Sequence, residues 1–162
     1  MTHHRRRNNG IDPSKINETV ELSPAQRYAA FKQTQAKQRT VAAEFARSMP
    51  FELDEFQMQA NDALEAGDNV LVAAPTGAGK TVAADFAIYL AQTRNVKAFY
   101  TTPIKALSNQ KYHDLVDQYG TDKVGLLTGD TSINSKADIV VMTTEVLRNM
   151  LYEHSVTLEA LR

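Results

Sequence analysis

Ala74, Pro75, Thr76, Gly77, Ala78, Gly79, Lys80 and Thr81 bring together flexible backbone, a cation and a hydroxyl in the order a phosphate-binding loop needs. Gly77 and Gly79 let the chain turn its amides toward phosphate oxygens, and a helix beginning near Gly79 adds its positive dipole end. Lys80 has the reach to meet the β- and γ-phosphates of a nucleotide, and Thr81 offers a hydroxyl to magnesium. The strict pattern GxxxxGK[ST] begins with glycine, and here Ala74 stands in that place. The later glycines, the lysine and the threonine keep the chemistry intact. The apolar run from Asn69 to Ala74 reads as a strand and the residues after Lys80 as a helix, the setting that separates such a loop from an ordinary glycine-rich turn.

Beyond this loop, residues 51–162 alternate short apolar runs with longer amphipathic stretches, the pattern of strand and helix units in a parallel sheet. Asn69 to Ala74, Lys97 to Thr102, Lys123 to Thr128 and Asp138 to Thr143 are the expected strands. Helices are expected over 56–66, 80–93, 104–119 and 144–152, with Gly67, Gly120 and Gly129 at the seams. Residues 1–50 differ in character. They carry a net charge of +5 against −6 for the remainder, giving −1 over 162 residues. Residues 1–22 are polar, interrupted by Gly10 and Pro13, and read as a flexible arm. Ser23 and Pro24 announce a helix running to about Arg47, with a thin apolar stripe of Tyr28, Phe31, Val41 and Phe45, and Pro50 closes it. A solvated helix and a nucleic-acid arm both fit its basic surface.

The composition removes several classes of function. Hydrophobic residues are 43% and charged residues 23%, ordinary globular usage. Near-zero net charge means that any polyanion contact is local. The absence of cysteine excludes disulfides, thiolate metal sites and a cysteine nucleophile, and accords with a cytoplasmic location. His113 and His154 have no partners at metal spacing, while His3 and His4 are neighbours in the arm, where incidental metal affinity fits. Arg5, Arg6 and Arg7 precede no apolar stretch that would make an export signal, and the longest apolar run, Val70 to Ala74, falls far short of the roughly 20 residues a bilayer requires. No membrane partner is expected.

Four further blocks flank the loop: FELDEFQMQA from Phe51, TTPIKALSNQK from Thr101, GLLTGD from Gly125 and MTTEVLRNMLY from Met142. With the phosphate loop, they make residues 51–162 similar to the superfamily 2 DExH-box helicases of the superkiller and exosome-cofactor branch, including its bacterial HelY-like members. The fold this implies is α/β: a partial RecA-like P-loop NTPase domain with a parallel sheet and helices on both faces, preceded by the basic helical extension.

By that resemblance Gln57 recognises adenine, so the nucleotide is ATP, with Mg2+ on Thr81 and catalytic roles for Lys80 and Thr81. Taken alone, Gln57 also reads as a surface helix residue. The resemblance further assigns Thr102, Pro103, Lys105 and Asn109, with Thr143 and Thr144, to single-stranded nucleic acid, RNA before DNA. Their chemistry suits phosphate: hydroxyls and an amide as hydrogen-bond partners, one ammonium, and two helix N-termini. Taken alone, Lys105 and Lys111 read as a solvated helix face and the threonine pair as helix capping. Arg148 fits a phosphate contact or plain surface, and Val146, Leu147 and Met150 fit the core.

The family continues with a strand ending in the DExH box and then a second RecA-like domain, and neither lies within these residues. The expectations are therefore a helicase piece that binds ATP weakly, turns it over negligibly and is marginally stable. A non-hydrolysing, nucleotide-gated binding module is the alternative, and a small-molecule kinase is disfavoured by the two strand-contact blocks.

Overall fold

The computed structural model describes residues 23–153. The expected flexible arm, His3, His4 and His154 lie outside them. Six helices and four strands follow in the order α1 (Pro24–Gln38), α2 (Val41–Ser48), α3 (Glu55–Ala66), α4 (Thr81–Thr93), β1 (Ala98–Thr102), α5 (Lys105–Tyr119), β2 (Val124–Leu127), β3 (Ser132–Ile133), β4 (Ile139–Thr143) and α6 (Thr144–Tyr152).

Ser23 begins α1 as expected: its hydroxyl accepts from Gln26 N at 3.3 Å while its own amide donates to Gln26 Oε1 at 2.8 Å. The single long helix expected to Arg47 is instead two. Thr40 interrupts it, in extended conformation, and its Oγ1 accepts from Ala43 N at 3.1 Å. The carboxylate of Glu65, on α3, accepts from both Val41 N (3.0 Å) and Ala42 N (2.8 Å). A carboxylate on two free amides at the positive end of a helix dipole satisfies donors that the helix cannot satisfy itself. α2 accordingly belongs to the compact unit of residues 39–162, distinct from the unit that ends at Gln38. Ala42 and Phe45 of α2 are buried in a cluster with Val82, Phe86 and Leu90 of α4, and Phe45 meets the Phe86 ring edge-on at 5.3 Å.

The sheet has the order β1-β4-β2-β3. β4 lies parallel to both β1 and β2, and only the two-residue β3, absent from the sequence reading, runs antiparallel. Side chains alternate across β4. Ile139 and Val141 meet Ile88 of α4 and Leu115 of α5 on one face, while Val140 and Met142 meet Val146, Leu147 and Met150 of α6 on the other. Helices thus cover both faces, and β4 is apolar at every position before its terminal threonine because neither face sees water.

Residues 69–74 are the clearest departure from the sequence reading. They form no ladder, and Leu71 is 93% exposed. A strand is defined by its partner's hydrogen bonds, and β1 at the sheet's end bonds only to β4, leaving its other edge open. The apolar alternation of this segment therefore shows as an unpaired lead into the phosphate loop.

One buried group has no account in the packing. Asn61, on α3, is 1% exposed, and neither its Nδ2 nor its Oδ1 finds a partner. A buried amide without hydrogen bonds costs about 1–3 kcal/mol. Asn61→Ala, which also gains helix propensity, should raise the thermal unfolding midpoint, with a gain of about 1 kcal/mol. A fall in the midpoint would mean that the amide is satisfied in solution.

Candidate nucleotide and nucleic-acid site

The phosphate loop is held by its own lysine and by α3. Lys80 Nζ donates to Ala74 O at 2.7 Å and Pro75 O at 2.9 Å, folding the ammonium back across the loop. Gly77 and Gly79 have φ of 84° and 72°, the left-handed region in which a β-carbon is strained. Thr81 opens α4 with its side chain exposed to solvent. Thr76, Gly77 and Lys80 are also exposed, whereas Ala74, Ala78 and Gly79 are half-buried.

Gln57 is not a surface helix residue. It is 4% exposed, its Oε1 accepts from Asp54 N at 2.9 Å, and its Nε2 donates to Gly79 O at 3.1 Å, with Ala78 O at 3.5 Å. Its amide thereby caps α3 and fixes the back of the loop. A β-carbon on Gly79 would lie 2.6 Å from this Nε2.

The expected strand-contact residues gather at one end of the sheet. Thr102 and Thr143 are register partners at the carboxyl ends of β1 and β4, so α5 and α6 both begin there and both direct free N-terminal amides to that edge. Thr144 Oγ1 donates to Thr102 O at 3.1 Å, joining the two blocks. The Thr102 hydroxyl donates to Ile104 O at 2.9 Å, so the 2.6 Å contact with Ser108 is donated by Ser108 Oγ. Thr102 and Thr143 are buried and serve this scaffold. Thr143 is the N-cap of α6 but its side chain makes no capping bond, which differs from the capping role the threonine pair suggests. Pro103, Lys105 and Thr144 are exposed, and Asn109 is half-buried.

Two charges are already paired. Lys105 Nζ meets Asp130 Oδ2 at 2.6 Å, and the Asp130 Oδ1 accepts from Thr128 Oγ1 at 3.0 Å. The hydrogen bond from Lys105 foremost, then that from Thr128, holds the Asp130 carboxyl below the usual carboxylate range. Lys111 does not lie on a solvated face: its Nζ meets Asp85 Oδ1 at 2.6 Å. The sequence reading missed Asp130 and Asp85 as partners. The signal for Asp85 was its position four residues after Thr81, on the same helix face. Arg148 lies on the exposed side of α6, 4.0 Å from Glu145, and His113 is exposed. Among the described residues no helix is long and apolar enough to cross a membrane, and no cluster of three or more metal-ligating side chains occurs.

Residues 54–162 match the family model for the DEAD/DEAH box helicase. The chain belongs to this helicase family. Over 117 residues it is 61% identical to the probable helicase HelY of Mycobacterium tuberculosis, covering 72% of this chain and 13% of that one. It is 55% identical over 107 residues to the antiviral helicase SKI2 of Saccharomyces cerevisiae, covering 66% and 8%. The chain therefore spans about an eighth or less of these helicases' lengths. A solved structure of a hypothetical ATP-dependent RNA helicase from Sulfolobus tokodaii superposes with a TM-score of 0.54 at 28% identity, over 74% of this chain and 38% of that one. The DUF1998 helicase MrfA bound to DNA gives 0.58 at 26% identity, over 75% and 19%. These likenesses agree with the α/β, RecA-like fold.

In this helicase domain Gly79→Ala should weaken ATP binding about tenfold or more, because it adds left-handed strain of roughly 1–2 kcal/mol to a collision with Gln57. Gly77→Ala, where a β-carbon meets nothing within 4 Å, bears only the strain and should cost less. Titrating both variants with a fluorescent ATP analogue checks the order, and an equal loss would remove Gln57 from the account.

Proposed function

We propose that this chain is the ATP-binding part of an ATP-dependent nucleic-acid helicase, acting on RNA in preference to DNA, and that on its own it binds both ligands without appreciable hydrolysis. The observation that carries this reading is the meeting of two kinds of site on one fold. A phosphate loop opens α4, and the N-termini of α5 and α6 converge at the end of β1 and β4. The names of two relatives support RNA, since those from Arabidopsis thaliana and Sulfolobus tokodaii are called RNA helicases.

The residues present fit a nucleoside triphosphate and its magnesium ion. Lys80 has its ammonium turned onto carbonyl oxygens of the loop, contacts that a phosphate would replace with stronger charge-assisted ones. Thr81 would hold the metal through its exposed hydroxyl, and Gly77 leaves the cradle open. Magnesium held there would supply neutralising charge to the phosphates. Gln57 orients the loop from behind, and adenine recognition by its amide would require exchanging one of its present bonds. At the other end, Lys105, Asn109 and Thr144 would grip the sugar-phosphate backbone without reading bases. Hydrolysis also needs a group that orients the attacking water. Asp85, the carboxylate one turn beyond Thr81, is engaged by Lys111 and does not offer itself for that task.

Calorimetric titration with ATP and magnesium, together with a phosphate-release assay, tests the reading. The chain should bind ATP with no sustained phosphate release, and Lys80→Ala should abolish binding with an unchanged circular dichroism spectrum. Sustained release that disappears in Lys80→Ala would contradict the non-hydrolysing part, and ATP binding indifferent to Lys80→Ala would contradict the site.

A further inference from the structure

Helix α4 begins with Thr81 at the phosphate loop, and α5 begins beside Pro103 at the strand-contact edge. Between the two helices lies a cavity of about 460 Å³ lined by Thr81, Asp85, Tyr100, Thr102, Pro103 and Lys111 among others. Of the ion pairs among the described residues, only Lys111–Asp85 joins α4 to α5, at 2.6 Å. Its side chains retain 17% and 33% of their exposure, so the pair sits in a medium less screening than bulk water. The Lys111 ammonium also stands 5.3 Å from the centre of the Tyr100 ring on β1.

The pair connects two rigid pieces. Asp85 lies one helical turn from Thr81, on the same face of α4. Lys111 lies one turn from the Ser108 that is hydrogen-bonded to Thr102, so α5 is fixed to the strand-contact edge close to where Lys111 extends. A shift of α4 that follows occupation of the phosphate loop can reach α5 through this contact, the ion pair between two helices that also share an apolar cluster through Ile88 and Leu115.

We propose that Asp85 and Lys111 are positioning residues that couple nucleotide occupancy to the grip on a single strand. Neither is among the residues proposed to hold nucleotide or nucleic acid. Linkage makes the coupling reciprocal: the factor by which nucleotide changes strand affinity equals the factor by which the strand changes nucleotide affinity. The inference rests on the proposed function, and the test separates the two.

The experiment measures the anisotropy of a fluorescein-labelled 12-nucleotide oligouridine bound to the full chain, with and without a saturating non-hydrolysable ATP analogue and magnesium. The unsubstituted chain should show a ratio of the two dissociation constants of about fivefold or more. Asp85→Asn and Lys111→Met should bring that ratio to about one while leaving analogue affinity in the absence of RNA within about twofold. The reversed pair, Asp85→Lys with Lys111→Asp, should restore part of the coupling. Asp85→Glu, which keeps the charge but lengthens the side chain, should fold normally and shift the ratio even if the other variants do not fold. If both ligands bind the unsubstituted chain with a ratio of one, or if folded variants keep the full ratio, the coupling role is overturned while the proposed function stands. If neither ligand binds, the proposed function falls and takes the coupling role with it.

Discussion

The burial of β4 is the constraint on which the rest of the molecule depends. Its residues from Ile139 to Met142 are wholly withdrawn from solvent, with a parallel strand on each side and helices on each face. Each such side chain contributes roughly 1.5–3 kcal/mol of apolar burial, so four in a row form the largest continuous source of stability in the sheet. Parallel pairing has a geometric consequence. Because β1 and β4 run in the same direction and end in register at Thr102 and Thr143, the helices after them must start side by side. The concentration of free amides, hydroxyls and Lys105 at that edge follows from the topology without further arrangement.

The phosphate loop depends on a different kind of support. The segment leading into it has no strand partner, so the loop is positioned from behind and from within. Gln57 joins it to α3, Lys80 closes it on its own carbonyls, and the packing of α4 against α2 fixes where it ends. The same α3 also carries Glu65, which caps α2. One helix thus orients both the loop and the element that buries Phe45 against the loop's helix. Damage to α3 would reach the loop by both routes.

Local signals were legible in the sequence and long-range partners were not. Ser23 as a cap and Gly67 and Gly120 as terminators are properties of a few neighbouring residues, and the helix ends they mark agree with the structure within a residue or two. The glycine turn before α4 was legible for the same reason, since Gly77 and Gly79 are contiguous with the helix they introduce. The unpaired state of residues 69–74 was not, because alternation reports an extended chain and says nothing of its partner. The break at Thr40 is fixed by Glu65 from the far end of another helix, and Gln57 reads as a surface residue until the loop folds against it. Lys105 and Lys111 read as solvated because the carboxylates that hold them, Asp130 and Asp85, are distant in the chain.

On the proposed reading, nucleotide and single-stranded nucleic acid occupy two separate groups of backbone amides on one fold, at the start of α4 and at the starts of α5 and α6. Two-dimensional 1H–15N NMR of the full chain reads those amides directly. ATP with magnesium should move the resonances of Gly77 to Thr81, and a short oligouridine should move those of Lys105 to Leu107 and of Thr144 to Val146. Perturbation by oligouridine confined to residues outside α5 and α6, or by ATP at residues remote from the loop, would contradict the account.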